Sequence, residues 1–73
     1  MAQRPDELKK LTTIAADADI SSELRLKAVE HIGRIGTHEA LLILLELVAN
    51  ENLVRKEREF ALKKAGEIIK SGR

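Results

Sequence analysis

The chain has 73 residues, with 13 basic and 12 acidic side chains, a net charge of +1 and no cysteine. This length gives room for one domain, and the missing cysteines exclude disulfides and thiolate metal sites. The longest apolar run, residues 40–45, is far shorter than a membrane span of ~20 residues, and residues 1–5 lack the apolar stretch of a secretion signal, so we expect a soluble, cytoplasmic protein.

Apolar residues at helical spacing predict two helices in the first half of the chain. Pro5 suits the first position of a helix that runs to about Ala16. Residues 17–19 form a turn, and Ser21 or Ser22 can cap the second helix by accepting a bond from a free backbone N–H. The predicted apolar stripe of this second helix is Leu24, Ala28, Ile32 and Ile35.

Two more helices follow. Gly36 suits the left-handed conformation that closes a helix, and Thr37 can cap the next one, which we predict over about His38–Ala49. After a turn at residues 50–52, the fourth helix is predicted to end near Gly72. Its predicted apolar stripe is Val54, Ala61, Ala65 and Ile68. Short turns between all four helices predict an all-α fold of two antiparallel helical hairpins.

The sequence also matches itself, without a gap, after a shift of 33 residues. A period of this length is typical of stacked repeats, in which each unit buries its apolar face against its neighbour. We therefore predict a single domain, with repeat one at about residues 5–37 and repeat two at about residues 38–70. Identical residues that align include Arg25 with Arg58, Ala28 with Ala61 and Gly33 with Gly66.

In each unit an acid or amide in the turn is followed by Arg, then Ala, then Gly. The residues are Asp19, Arg25, Ala28 and Gly33, and again Asn52, Arg58, Ala61 and Gly66. This pattern resembles the HEAT-like repeats of the PBS-lyase type. The resemblance implies a short α-solenoid of stacked hairpins. The second unit departs from the pattern, because Glu57 precedes the arginine where an aliphatic residue is usual, and Asn52 replaces the acid.

The repeated glycines and arginines are candidate structural residues. A glycine inside a helix costs about 1 kcal/mol relative to alanine, so we expect Gly33 and Gly66 at close helix contacts. Arg25 and Arg58 lie at the edges of their apolar stripes, where an unpaired guanidinium is costly to desolvate. We therefore expect Asp19 to pair with Arg25 or, across the units, with Arg58. The alternative is that both arginines lie along the surface with their heads in water.

No group of residues predicts catalysis. His31 and His38 each adjoin a glutamate, which raises a metal hypothesis, but Gly36 and Thr37 separate them onto different helices. We expect both to be solvated surface histidines. No hydroxyl residue is accompanied by a histidine and a carboxylate in a catalytic pattern, and no glycine-rich phosphate loop is present. We therefore expect a protein that is not an enzyme and binds no cofactor.

Charge is unevenly distributed along the chain. From Leu53 onward there are seven basic and three acidic side chains, net +4, whereas the preceding residues have six basic and nine acidic, net −3. In a HEAT-like stack the second helix of each hairpin lines the inner surface, which makes helices two and four the candidate partner-binding face. Its residues are Lys27, Arg34, Lys56, Phe60, Lys63, Lys64 and Lys70.

These features predict a non-catalytic protein–protein interaction module, acting as adaptor, subunit or regulator. Phe60 is a candidate anchor, because aromatic side chains are typical energetic centres of interfaces, although ordinary packing is the alternative. The alternative function is non-specific nucleic-acid association through the basic fourth helix. Such binding would weaken strongly with salt, since the chain has no aromatic platform for base stacking. The lysines also fit a simply solvated face.

The third helix is apolar nearly all round. Where the first helix has polar outer residues, the third has Leu42, Ile43 and Leu45, so the second unit lacks the polar face that closes a stack of repeats. We therefore expect a homodimer, in which helix three, helped by helix four, docks against its symmetry mate. The alternative is a monomeric four-helix bundle with Leu42 and Leu45 covered by helices two and four.

Overall fold

The computed structural model describes residues 5–71. Its helices are α1 (Pro5–Ala16), α2 (Ser22–Ile35), α3 (His38–Val48) and α4 (Arg55–Lys70). No strand occurs within residues 5–71, which confirms the all-α class. The α3 helix ends one residue before the predicted Ala49, and α4 ends ahead of the predicted Gly72, which lies outside the described residues.

Side chains that the sequence identifies as caps do close the helix ends. Ser21 Oγ and Thr37 Oγ1 each accept a hydrogen bond from the backbone N–H three residues later, at 3.3 and 3.1 Å. Gly36 has a left-handed φ of 67°, and its N–H donates to a carbonyl in the last turn of α2. These bonds satisfy backbone groups that a helix end leaves unpaired. The predicted caps are therefore confirmed.

The turns that precede α2 and α4 have the same local geometry. Asp17 Oδ1 accepts a hydrogen bond from the N–H of Asp19 at 2.9 Å, and Asn50 Oδ1 accepts one from Asn52 at 2.9 Å. Both are Asx turns, in which an amide oxygen serves as well as a carboxylate. The change from acid to amide between the units therefore leaves this hydrogen bond in place.

Each helix packs against its neighbour in sequence, and α2 links the two halves of the chain. The α1 helix contacts α2, α3 contacts α4, and α2 also packs against α4. Fewer contacts join α2 to α3 and α1 to α3. The core is aliphatic, and small side chains from α2 and α4 allow these helices to approach closely. Its buried residues are Leu8, Ala15, Ala28, Val29, Ile32, Ala40, Leu44, Leu47, Leu53, Ala61, Ala65 and Ile68.

Two apolar residues that we predicted in the core are exposed. Leu24 is 53% exposed and Val54 is 54% exposed. Val54 is the N-cap of α4, so helical periodicity does not yet apply to it. Leu24 lies in the first turn of α2, where the buried position belongs to the next residue, Arg25. The buried faces of α2 and α4 thus begin at charged residues, Arg25 and Glu57.

The two repeated glycines have different surroundings. A Cβ at Gly33 would lie 3.2 Å from Cβ of Lys64, which is closer than such atoms normally approach. Gly33 is therefore at a close contact of α2 with α4, as expected. Gly66 is exposed, and a Cβ there would meet nothing within 4 Å. The expectation for Gly66 is wrong, because within residues 5–71 no helix packs over α4 as α4 packs over α2.

This contrast predicts opposite outcomes for two matched substitutions. Gly66→Ala should raise the free energy of unfolding by about 0.5–1 kcal/mol, since it improves helix propensity without a clash. Gly33→Ala should give no such gain, because the added methyl group meets the Lys64 stem. Urea denaturation of both variants measures the difference. An equal gain at the two positions would contradict the close contact at Gly33.

Candidate functional site

An ion pair between Arg25 and Glu57 joins α2 to the first turn of α4. Arg25 Nη2 lies 2.7 Å from Glu57 Oε2, and the Ser22 hydroxyl donates to the same oxygen. Glu57 is 2% exposed and Arg25 9%. A carboxylate this deeply buried is costly unless it is paired and hydrogen-bonded. The contact therefore determines where α4 begins on the surface of α2.

The same arginine is held from its other side by the turn between α1 and α2. Its Nη1 donates to the carbonyl of Asp17 at 3.1 Å and to the carbonyl of Ile20. Within residues 5–71, Arg25 Nε and Glu57 Oε1 have no hydrogen-bond partner. The pair is thus a single contact through Nη2 and Oε2, not the two-bond fork that arginine and carboxylate can form.

The pair also sets the protonation of both groups. Burial raises the pKa of the Glu57 carboxyl, but the hydrogen bonds from Arg25 and Ser22 and the charge of Arg25 outweigh burial, so the pKa lies below its ordinary value. The hydrogen bond to Glu57 raises the pKa of Arg25, against the effect of burial. Both groups are therefore charged at neutral pH.

The expected pairing of Asp19 is wrong. Asp19 is exposed, and the carboxylate that meets Arg25 comes from Glu57 of the other unit. The reason is that the turn offers Arg25 its backbone carbonyls, at Asp17 and Ile20, while the first turn of α4 supplies the carboxylate. The available signal was Glu57 itself, a charged residue at a position where the repeat pattern has an aliphatic one.

Arg58, the counterpart of Arg25, has another partner. Its Nε donates to the carbonyl of Val48, the last residue of α3, at 2.8 Å. A cation is favourable beside the carbonyls of a helix C-terminus. No ion pair within residues 5–71 includes Arg58. Neither the expected pair with Asp19 nor a fully solvated head describes this half-buried residue.

Four residues at helical spacing on α2 lie at its contact with α4. Ser22 and Arg25 both bond to Glu57, and Gly33 adjoins Lys64. Val29, between them, is 1% exposed. We call Ser22, Arg25, Val29 and Gly33 the α2 stripe. In unit one, Arg25 and Val29 are buried, Gly33 is half-buried, and Ser22 is exposed although its hydroxyl bonds to Glu57.

Three of the four equivalent residues of unit two are exposed to solvent. After the 33-residue shift, the α2 stripe falls on four residues that we call the α4 outer stripe: Arg55, Arg58, Leu62 and Gly66. Arg55 and Gly66 are exposed, Arg58 is half-buried, and Leu62 is 54% exposed where its counterpart Val29 is buried. A shallow hollow of about 300 Å³ lies along this stripe, lined by Val48, Arg55, Arg58, Glu59 and Leu62.

The basic residues predicted to form a partner-binding face do not all act as free cations. Arg34 pairs with Glu30 at 3.2 Å, and Lys64 pairs with Glu67 at 3.4 Å. The remaining four are exposed, and no ion pair within the described range includes them: Lys27, Lys56, Lys63 and Lys70.

Phe60 is half-buried and packs against the core, so ordinary packing is its observed role. The Nζ of Lys64 lies 5.3 Å from the centre of the Phe60 ring, within the range of a cation–π contact. Its stem adjoins Gly33. Lys64 thus connects Phe60, Gly33 and Glu67, and its surroundings are those of a packing residue.

The predicted self-association residues of α3 divide into two groups. Leu42 and Leu45 are 48% and 41% exposed, which contradicts the alternative in which α2 and α4 cover them. Ile43 is half-buried and packs against the core, so it does not contribute a free side chain to a surface patch. The exposed apolar surface of α3 consists of the two leucines.

Both histidines are exposed. His31 borders an open hollow of about 570 Å³ together with Lys10 and Glu7. In the part of the chain that the structure describes, no cluster of three or more His, Cys, Asp or Glu residues could hold a metal ion. None of the helices between residues 5 and 71 has the length and apolar character needed to cross a membrane.

The buried carboxylate predicts a specific dependence of stability on pH. Glu57→Ala should lower the free energy of unfolding at pH 7 by about 2–3 kcal/mol, because Arg25 loses its counter-charge. Compared with Glu57→Gln, the parent should have its full advantage above the ordinary pKa of 4.5 and lose it as the pH falls through the depressed pKa of the folded state.

Urea midpoints of parent and Glu57→Gln at pH 7 and pH 3 measure this change. Glu59→Gln, on an exposed position of the same helix, is the control and should show a much smaller change. A parent advantage that stays constant between the two pH values would contradict an ionised, paired Glu57.

Known proteins provide no relative from which a function could be transferred. No protein-family model, no curated protein and no solved structure matches this chain. The relation to HEAT-like repeats therefore stays a prediction.

Proposed function

We propose that this chain is a non-catalytic protein-interaction module, built from two HEAT-like hairpins stacked through α2 and α4. The repeat of 33 residues, the packing of α1 on α2 and of α3 on α4, and the contact of α2 with α4 support this arrangement. The observation that carries the interaction role is the difference between Val29 of the α2 stripe, which is buried against the rest of the chain, and its counterpart Leu62 of the α4 outer stripe, which is 54% exposed.

The distribution of exposed apolar side chains also supports an interaction role for the second unit. Five of the six large apolar residues exposed in the described range belong to the second half of the chain. They are Leu42, Leu45, Val54, Leu62 and Ile69. Single exposed leucines are ordinary, but exposed apolar residues concentrated on one part of a small protein are typical of contact surfaces.

Affinity capture with matched baits tests the proposal. Leu62→Lys changes an exposed residue of the α4 outer stripe and should preserve the fold, and Lys9→Gln, on the exposed face of α1, is the control. We expect proteins that are held by the parent and by Lys9→Gln but are lost with Leu62→Lys. Identical capture by all three baits would contradict an interaction through the α4 outer stripe.

A second copy of the chain is one partner that we propose, through Leu42 and Leu45 of α3. Light scattering should then give a dimer mass for the parent and a monomer mass for the double variant Leu42→Lys/Leu45→Glu, with unchanged helicity by circular dichroism. The variant removes the apolar contact and introduces charge at the same two positions. A monomer mass for the parent would exclude this dimer.

Nucleic-acid association is the second candidate, favoured by the four exposed lysines, Lys27, Lys56, Lys63 and Lys70. Titration with duplex DNA and with RNA at low and high salt distinguishes it, because phosphate binding weakens steeply with salt. Since the exposed Glu59 and Glu67 lie on the same helix as three of these lysines and offset part of their charge, we expect no measurable binding even at low salt. Salt-sensitive binding that Lys56→Glu/Lys63→Glu abolishes would favour this candidate instead.

A further inference from the structure

We infer that the α4 outer stripe docks a helix of another protein, which presents a carboxylate in its first turn to Arg58. This inference rests on the proposed interaction role and names the chemistry of the partner. Its basis is the α2 stripe, which shares three of its four residue types with the α4 outer stripe at the same spacing and whose occupant is part of the structure. The exception is Ser22, which Arg55 replaces. What covers the α2 stripe indicates what fits the α4 outer stripe.

The helix that covers the α2 stripe contributes three features. Glu57, in its first turn, pairs with Arg25. Ala61, four residues later, is fully buried, and its small size allows close approach. Lys64, three residues further on, lays its flexible stem beside Gly33. A partner for the α4 outer stripe therefore needs a carboxylate, a small residue four positions later and a flexible side chain seven positions later.

The exposed Gly66 indicates that the partner of the α4 outer stripe is a helix. A glycine in an exposed helix interior costs about 1 kcal/mol relative to alanine, and here it gains no contact within 4 Å in return. At the equivalent position, Gly33 allows the Lys64 stem to approach. The missing side chain at Gly66 would allow a helix of another protein to approach α4 just as closely.

The charges favour a different protein over a second copy. If a second copy continued the stack head to tail, the residue placed at Arg58 would be Leu24, the counterpart of Glu57 after the 33-residue shift. A leucine cannot pair with a guanidinium. A nucleic-acid backbone could meet Arg55 and Arg58, but it offers nothing to the apolar Leu62 between them and Gly66.

The probe is a peptide of residues 53–71 of this chain, held helical by a lactam between Glu59 and Lys63. These two side chains lie on the helix face opposite Glu57, Ala61 and Lys64. Fluorescence anisotropy of the labelled peptide should show binding to the full chain. A peptide with Glu57→Gln should bind at least about tenfold more weakly, because Arg58 then faces a neutral group.

Variants of the chain locate the binding. Gly66→Gln should abolish binding while raising the urea midpoint of the chain, so that loss of binding is separated from loss of folding. Arg58→Met should also abolish binding. Because this change also removes the bond from Arg58 to the Val48 carbonyl and so affects the stability of the chain, Gly66→Gln is the decisive variant. Lys9→Gln, on the exposed face of α1, should bind like the parent.

Several outcomes would overturn the inference. They are absence of peptide binding, equal affinity for the parent peptide and the Glu57→Gln peptide, and unchanged peptide affinity in the Gly66→Gln chain. A dimer of the parent that Gly66→Gln dissociates would assign the stripe to a second copy, and duplex binding that Arg58→Met abolishes would assign it to nucleic acid. If the peptide fails while Leu62→Lys still loses captured proteins, the interaction role stands and only the helix chemistry is wrong.

Discussion

The buried carboxylate of Glu57 is the constraint on which the arrangement of the two units depends. It cannot remain ionised in the interior without a counter-charge, so α4 has to begin where Ser22 and Arg25 reach it. Arg25 is itself held over the carbonyls of the turn between α1 and α2. Once this end of α4 is placed, the helix passes Gly33 so closely that a Cβ there would lie only 3.2 Å from Cβ of Lys64.

The two arginines of the repeat show how one sequence unit adapts to two environments. Arg25 meets a carboxylate supplied by the next unit. Arg58 has no such neighbour within residues 5–71 and turns to the last carbonyl of α3 in its own unit. The second contact is a weaker substitute for an ion pair, because a backbone carbonyl carries only a partial charge.

Helices and caps could be predicted because they depend on residues close in sequence: Ser21, Gly36 and Thr37 each act on backbone groups within four residues. The partner of Arg25 could not be predicted from the sequence, since the choice between Asp19 and Glu57 depends on how two helices that are distant in sequence cross. Leu24 and Gly66 were misplaced for a related reason. Periodicity places a residue on a helix face, but it does not say whether anything covers that face.

The joint between the two hairpins has a mechanical consequence. Gly36 closes α2 and Thr37 opens α3, so both connecting residues are committed to helix ends and none is left as slack. A change in the angle between α2 and α3 would have to disturb one of these two caps. We therefore expect the two hairpins to move together as one rigid unit when a partner contacts α4.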